Sequence, residues 1–415
     1  MRTEYSVQLI LHTPDSSQQM SPLRVWLKSF FQRPPPPWPV IVLPNNGFDI
    51  VEEPVVEEEE SEGFSTGDYY PVVIGDVLDS RYQVVGKLGF GVSSTVWLAR
   101  DMRNHRYVAL KVYTRDEDNK HEFEIYKQLS KPSQYPGREH VRDVLDTFTL
   151  PRPGGDHQCL VQKPLWESLQ DLHYIMPHAR LEVDILKSAI KQMLLALDYL
   201  HTECKLAHTD IKPDNIMQEL NSTSILEKFV QDQIKKPSPR KIVGDGTIYL
   251  SRLLDPPKKF GRALLCDFGS AVQGEEERNH NAQPEIYRSP EVMLMANWSY
   301  PTWLLFEGQI LFTGLHPTEE IYLTRAHIAE IIGLLGPPPQ DLIQKGTRSL
   351  EFFDEDGNWK IDDVEIQPRT LEELECCLEG EDKDKFLTFI RGMIIWRPED
   401  RKTAAALLQD PWLNS

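Results

Sequence analysis

The feature that most constrains this chain is a run of polar side chains with different chemistries, followed by a second polar motif downstream. The two stretches are His208-Thr209-Asp210-Ile211-Lys212-Pro213-Asp214-Asn215 and Asp267-Phe268-Gly269. Asp210 can accept the proton of a hydroxyl, and Lys212 can offset phosphate charge. Asn215 and Asp267 carry oxygen ligands of the kind that Mg²⁺ prefers. Together the two motifs predict the transfer of a phosphoryl group from metal-bound ATP to a hydroxyl.

Length and charge narrow the possibilities further. The chain has 415 residues, which suits a two-lobed enzyme with tails better than one small domain. Its formal net charge is −19, which argues against nucleic acid as the main partner because the phosphates would be repelled. Such acidity fits a basic substrate, although solubility is the commoner reason for an acidic composition, and both interpretations stay open.

The cysteines indicate a reducing compartment. There are five, Cys159, Cys204, Cys266, Cys376 and Cys377, and they lack the paired spacing of a metal site. Cys266 directly precedes Asp267 and could line a nucleotide site, although a buried inert thiol is the commoner case. No apolar run reaches transmembrane length and the N-terminus lacks a signal-peptide core, so we expect no membrane association.

Composition divides the chain into three regions and predicts an α+β fold. Residues 1–67 contain a polyproline stretch and an acidic run, and we expect them to form a disordered tail. Residues 68–165 are rich in β-branched and aromatic residues, which predicts a small lobe with an antiparallel sheet. Residues 166–415 show helical spacing, which predicts a larger, mainly helical lobe. Within it, residues 218–261 are expected to form an insertion that is partly mobile.

A glycine-rich segment lies between two predicted strands. It runs from Leu88 to Val96, and its two glycines would let the backbone approach phosphates closely. A Gly-x-Gly pattern alone also occurs in hairpin turns, but Lys111 follows in the next predicted strand and can hold the ATP phosphates. A glutamate from a following helix can in turn hold Lys111, with Glu124 the first choice and Glu122 the second. The predicted nucleotide contacts are Leu88, Gly89, Gly91, Val96, Ala109 and Lys111.

Two further elements fit a two-lobed enzyme. The connection between the lobes is expected near Gln162 to Leu165, where backbone groups could bind adenine. In the large lobe, Arg401 could pair with Glu291 of the Ser289-Pro290-Glu291 stretch. If that pair is buried, the loss of one partner would leave an unpaired charge, whereas a surface salt bridge is the alternative.

Taken together, these motifs resemble the SR-protein-specific serine/threonine protein kinase family of the eukaryotic protein kinase superfamily, especially its fungal members. The resemblance spans residues 69–413, and its matching stretches are 70–76, 81–89, 94–99, 208–215, 283–291, 351–354 and 396–412. It implies phosphorylation, with ATP and Mg²⁺, of serines in arginine/serine-rich proteins such as splicing factors. It also implies a location in nucleus and cytoplasm. We further expect a monomer that makes no direct contact with nucleic acid. Acidic residues would then meet the arginines of the substrate.

Thr209 stands where many kinases carry an arginine that holds a phosphorylated activation loop. Without that arginine a phosphate on the loop would lose a main anchor, and the loop from Ser270 to Gln283 is short. We therefore expect that phosphorylation of this loop is not the on-switch.

The sequence departs from the family pattern after Glu291. The pattern contains an Asp-x-Trp segment and a long buried helix, whereas here Tyr300-Pro301-Thr302 passes directly to Trp303. Roughly ten residues, about three helical turns, are absent. The central helix of the large lobe is therefore expected to be truncated, or rebuilt from Trp303 to Phe312. Three explanations stay open: an error in the predicted gene, a tolerated deletion with low activity, or a pseudokinase that serves as a scaffold.

Overall fold

The computed structural model describes residues 35–61, 64–65, 67–115, 120–176, 182–244, 246–298, 300 and 311–415. In these parts of the chain no helix is long and apolar enough to cross a membrane.

The N-terminal lobe is built on one antiparallel sheet of six strands, in the order β1-β2-β3-β4-β6-β5. The strands are Val77–Leu78 (β1), Tyr82–Gly91 (β2), Ser94–Asp101 (β3), Arg106–Tyr113 (β4), Val144–Leu150 (β5) and His157–Gln162 (β6). Their β-branched and aromatic residues suit a pleated, half-buried surface. One helix, Lys120–Leu129 (α1), packs on the sheet with Phe123 beside Tyr113. The predicted antiparallel sheet is confirmed.

The C-terminal lobe is mainly helical, as predicted. The helices after residue 165 are Leu169–Ile175 (α2), Val183–Asp198 (α3), Ser224–Lys235 (α4), Pro290–Met293 (α5), Thr324–Leu335 (α6), Gln340–Lys345 (α7), Ser349–Phe352 (α8), Leu371–Leu374 (α9), Gly380–Arg391 (α10) and Ala404–Leu407 (α11). All but α4, which is part of the insertion, belong to this lobe. Helix α3 buries Leu186, Ile190, Leu194 and Leu197, which follow the spacing of one helix face. The α+β fold in two lobes is therefore confirmed.

Short strands also follow residue 164, and several of them flank the catalytic run. They are Leu165–Ser168 (β7), Leu206–Ala207 (β8), Ile216–Glu219 (β9), Arg240–Val243 (β10), Gly246–Tyr249 (β11), Ala263–Leu265 (β12) and Val272–Gln273 (β13). Strands β12, β9 and β7 form one antiparallel sheet, and β8 pairs with β13. The catalytic run and the second polar motif are both flanked by these strands, which brings them side by side.

The insertion at 218–261 is folded onto the N-terminal lobe, which differs from the partly mobile segment that its composition predicts. It contributes α4 and the hairpin of β10 and β11. Phe229 of α4 packs so closely on β2 that a Cβ atom at Gly86 would lie 2.9 Å from its ring. Helix α4 has an apolar face that includes Leu226, Phe229 and Val230, and the burial of this face explains the docking.

Residues 35–61 also lie on the small lobe, so the prediction of a disordered tail up to residue 67 is wrong for this part. Trp38 stacks on His105 and lies under the guanidinium of Arg100. The side chain of Gln83 both accepts from the backbone N–H of Ile41 and donates to its carbonyl. The partners of this segment lie far away in sequence, so its composition alone could not reveal them.

A buried ion pair joins the Ser289-Pro290-Glu291 stretch to the C-terminal end of the chain. Arg401 donates two hydrogen bonds to the Glu291 carboxylate, at 2.7 and 2.6 Å. Glu291 is 1% exposed and the Arg401 side chain 4% exposed, so the predicted pairing is confirmed as a buried one.

The helix predicted from Trp303 to Phe312 lies almost entirely outside the described residues. In the described part of the interval between α5 and α6, no helix forms.

We predict that Arg401→Met lowers the free energy of unfolding by about 3–5 kcal/mol, because it leaves a buried carboxylate without its counter-charge. Urea denaturation measures this loss. The matched control is Arg391→Met, which removes a pair with Glu372 in which both side chains are about half exposed; its stability should match the wild type. A loss for Arg401→Met no greater than for the control would contradict the prediction.

Candidate active site

The glycine-rich segment forms the turn between β2 and β3. Gly91 pairs with Ser94, and Gly89 pairs with Val96, so Val92 and Ser93 make the tip. An added Cβ atom at Gly89 or Gly91 would meet no atom within 4 Å. The two glycines therefore border open space, as expected where a backbone must approach phosphates.

Strand register places the predicted nucleotide contacts together. Gly89 of β2 pairs with Val96 of β3, and Val96 pairs with Lys111 of β4. Ala109 lies two residues before Lys111 and so points to the same face of the sheet. Leu88 is partly buried at the edge of the core. These residues form one surface against which a nucleotide could lie.

Lys111 pairs with Glu122, and the first-choice partner Glu124 is wrong. The Nζ atom of Lys111 lies 3.2 Å from Glu122 Oε1. Glu124 is 72% exposed and pairs with Lys127 instead. Glu122 and Glu124 are two positions apart, and side chains with this spacing on a helix point in different directions. The sequence pattern that distinguishes them is the buried face of α1, because Glu122 precedes the buried Ile125 by three residues.

The catalytic run forms a loop between β8 and β9. Asn215 donates its side-chain N–H groups to the Asp210 carboxylate at 2.7 Å and to the Asp210 carbonyl at 2.9 Å. Lys212 Nζ lies 3.5 Å from the same carboxylate. The Asn215 bonds hold Asp210 in one orientation and leave the Asn215 carboxamide oxygen for another ligand.

Asp267 lies beside this loop in the same lobe, because the backbone N–H of Cys266 donates to the Asn215 carbonyl at 2.8 Å, and it faces Lys111 of the small lobe. Its carboxylate lies 3.6 Å from Lys111 Nζ and is 47% exposed on its side chain. Burial acts to raise the pKa of Asp267, but the Lys111 ammonium and a hydrogen bond from the Gly269 N–H outweigh it, so the pKa is lowered. Asp267 is therefore ionised at neutral pH, as a metal ligand must be.

Two rings anchor the second motif. Phe268 is fully buried, with His208 4.8 Å away on one side and Tyr126 of α1 5.6 Å away on the other. His208 accepts from the Asp210 N–H and donates through Nε2 to the Cys266 carbonyl. Burial lowers the pKa of His208, which keeps it neutral in this role. The catalytic run, α1 and the second motif are thus packed as one unit.

Cys266 is a buried thiol, as the commoner of the two interpretations predicts. It is 3% exposed, and burial raises its pKa. It packs with Leu165, Leu264 and Met217 beneath the connection between the lobes.

Thr209 has a structural role that its sequence position did not reveal. Its backbone φ of +63° is unusual for a β-branched residue. Its hydroxyl donates to the Ser270 carbonyl at 2.6 Å, which ties the catalytic loop to the start of the following segment. Thr209 therefore stabilises this part of the site through a bond to the backbone, without a phosphate.

The segment after Gly269 is held by hydrogen bonds of both backbone and side chains. Strand β13 pairs with β8, and Arg278 and Trp298 exchange two backbone hydrogen bonds at 3.0 and 2.8 Å. Ser289 donates to the side chain of Gln283. None of these contacts requires a phosphate.

The oxygen donors of Asn215 and Asp267 fit Mg²⁺, which is commonly held by one or two protein side chains together with nucleotide phosphates. Lys111 and the open space at the two glycines fit the phosphates themselves. The fold and these groups define the active site of a protein kinase.

Comparison with known proteins gives the same class. The sequence matches the protein kinase domain family over residues 82–413. A serine/threonine protein kinase of Aspergillus fumigatus is 40% identical over 409 residues, covering 95% of this chain and 99% of that protein. The serine/threonine-protein kinase SRPK of Physarum polycephalum is 30% identical over 401 residues, with 86% and 91% coverage. Protein kinase dsk1 of Schizosaccharomyces pombe is 26% identical over 478 residues, with 89% and 87% coverage.

The chain therefore belongs to the protein kinases, as a serine/threonine kinase of the SR-protein kinase family.

We predict that Glu122→Gln lowers kcat/KM about 10- to 100-fold, because it removes a charged hydrogen bond that positions Lys111. Steady-state kinetics at varied ATP concentration measure the effect. Glu124→Gln, on the exposed face of the same helix, is the matched control and should retain wild-type values. Equal losses of kcat/KM in the two variants would contradict the assignment of Glu122 as the partner of Lys111.

We predict that phosphatase treatment leaves activity unchanged, since the segment after Gly269 is held without a phosphate. The treated and mock-treated proteins should show the same kcat/KM, with mass spectrometry used to verify removal of phosphate. Loss of activity on treatment would refute this.

Proposed function

We propose that this protein transfers the γ-phosphoryl group of Mg-ATP to serines in arginine/serine-rich proteins, including splicing factors. The single observation that carries the proposal is the complete set of catalytic groups held in place by packing and hydrogen bonds. Asp210 is oriented by Asn215, Lys111 by Glu122, and Asp267 by Lys111.

In this proposal each residue has a defined task. Asp210 accepts the hydroxyl proton of the serine and orients its oxygen. Lys212 lies close enough to Asp210 to offset the charge on the transferred group. Bound Mg-ATP would supply the phosphoryl group and neutralise charge on its phosphates, with Asn215 and Asp267 as the metal's protein ligands and Lys111 on the phosphates.

The substrate class is supported by charge and by similarity. A cleft of about 450 Å³ opens beside Asp210, lined by Lys212, Gln283, Arg288 and Trp298 among others. Glu285 is an exposed carboxylate next to the lining residue Pro284, and the exposed Asp214 lies two positions after Lys212. The chain as a whole carries a net charge of −19. Exposed carboxylates are suitable partners for arginine side chains. Relatives named SRSF protein kinase 3 are 26–27% identical to this chain.

The test is phosphorylation of a synthetic Arg-Ser repeat peptide with Mg-ATP. We predict incorporation by the wild type and its loss, by at least about 100-fold, in Asp210→Asn, which keeps the shape of the side chain but cannot accept the proton. A Lys-Ser repeat peptide of equal charge is the matched substrate control and should react less well, because lysine lacks the bidentate geometry of arginine. Equal signal from wild type and Asp210→Asn would reject the enzyme assignment.

A second candidate is a pseudokinase that binds partners. The observation in its favour is the roughly ten residues missing after Thr302, because small misplacements of reacting groups are costly. Binding of Mg-ATP without measurable transfer to the Arg-Ser peptide would favour this candidate. Sequencing the transcript around Thr302 would decide whether the residues are absent from the natural protein.

A further inference from the structure

The chain before β1 contacts the turn between β2 and β3 at two points. We call residues 35–61 and 67–76 the N-terminal segment, and residues 87–96 the glycine-rich hairpin. The base of the hairpin is Lys87, and its tip is Val92 and Ser93.

At the base, a buried ammonium group is held by the N-terminal segment. Lys87 is 0% exposed, and its Nζ atom lies 3.1 Å from a Glu57 oxygen and 2.7 Å from a Glu58 oxygen. A buried ammonium is costly unless it is paired. The position of Lys87 is therefore tied to that of the two glutamates.

The insertion joins the same cluster. The backbone N–H of Arg252 donates to the Lys87 carbonyl at 3.0 Å. Ser251 donates from its backbone and its hydroxyl to Glu57, at 2.8 and 2.9 Å. Three separate parts of the chain thus meet directly before Leu88.

At the tip, the contact is a single side chain. The Tyr69 hydroxyl lies 2.9 Å from the Val92 carbonyl and 3.3 Å from the Gly91 carbonyl, so its one O–H donates a hydrogen bond that the two carbonyls share. Burial raises the pKa of Tyr69 above its ordinary value of 10.0, so the hydroxyl keeps its proton.

Tyr69 is itself anchored to the body of the lobe. Its carbonyl accepts a hydrogen bond from Arg152 at 2.7 Å, and its ring packs on Phe64. The preceding residue, Asp68, bonds to Arg115 through both its backbone and its side chain. Because Tyr69 is itself fixed by these contacts, its hydrogen bond can hold the hairpin tip in one position.

Between base and tip lie Leu88, Gly89, Phe90 and Gly91. Glycine loses more conformational freedom on ordering than any other residue. A ligand that must order such a hairpin itself binds more weakly than one that meets it already ordered.

We propose that Tyr69 is a positioning residue for the nucleotide: its hydroxyl holds the tip of the glycine-rich hairpin in the ATP-binding conformation, while the cluster of Glu57, Glu58 and Lys87 holds the base. This inference rests on the nucleotide site of the proposed function. Tyr69 acts on the hairpin backbone and has no part in the proton or phosphoryl transfer.

The test is Tyr69→Phe in the full chain, with the dissociation constant of Mg-ATP measured by titration calorimetry. We expect that constant and the KM for ATP to rise about 2- to 10-fold, which is the effect of losing one hydrogen bond. The kcat at saturating ATP, the KM for the peptide and the melting temperature should stay at wild-type values. A merely structural role would change the melting temperature and would not single out ATP.

The matched control is Tyr70→Phe, which removes the hydroxyl of the adjacent tyrosine, a residue whose ring packs edge-on against His157. It should leave ATP binding unchanged. Unaltered ATP affinity in Tyr69→Phe, or an equal change in Tyr70→Phe, overturns the inference.

The binding measurement separates this inference from the proposed function. If ATP affinity depends on Tyr69 but no phosphate reaches the Arg-Ser peptide, the inference stands and the proposed function fails. A wild-type chain that binds no Mg-ATP overturns both.

Discussion

The active site depends on one ammonium group shared between the lobes. Lys111 projects from the sheet, Glu122 from α1, and Asp267 from the C-terminal lobe, with Lys111 Nζ 3.2 and 3.6 Å from the two carboxylates. A partly buried charge is stable only when its partners are in place. The pairings therefore fix strand β4, helix α1 and the second polar motif relative to one another, and the remaining catalytic groups are arranged around them.

A second set of ion pairs holds residues 35–61 and the insertion on the small lobe. The glutamate run near residue 57 has the composition of a solvated tail, yet Glu57 and Glu58 lie against the buried Lys87, and Glu59 pairs with Lys241 of the insertion. Part of the net negative charge thus serves the fold. The same cluster borders the glycine-rich hairpin, which links the N-terminal segment to the nucleotide site.

The chemistry of the site could be predicted from residue types, but some of its partners could not. The roles proposed for Asp210, Asn215 and Asp267 follow from carboxylate and carboxamide chemistry. Residue type does not identify the partner of Lys111, because Glu122 and Glu124 are both glutamates and lie two positions apart. The buried face of α1 distinguishes them and favours Glu122.

The class of fold and the reaction can be predicted from the amino-acid sequence, because strand-forming and helix-forming patterns are local and the catalytic groups occur in fixed order. Folding alone settles which surfaces cover the small lobe and that Thr209 bonds to Ser270. Each of these contacts joins residues whose complementarity lies in shape and buried charge. Such complementarity exists only after the chain has folded, so periodicity and composition carry no record of it.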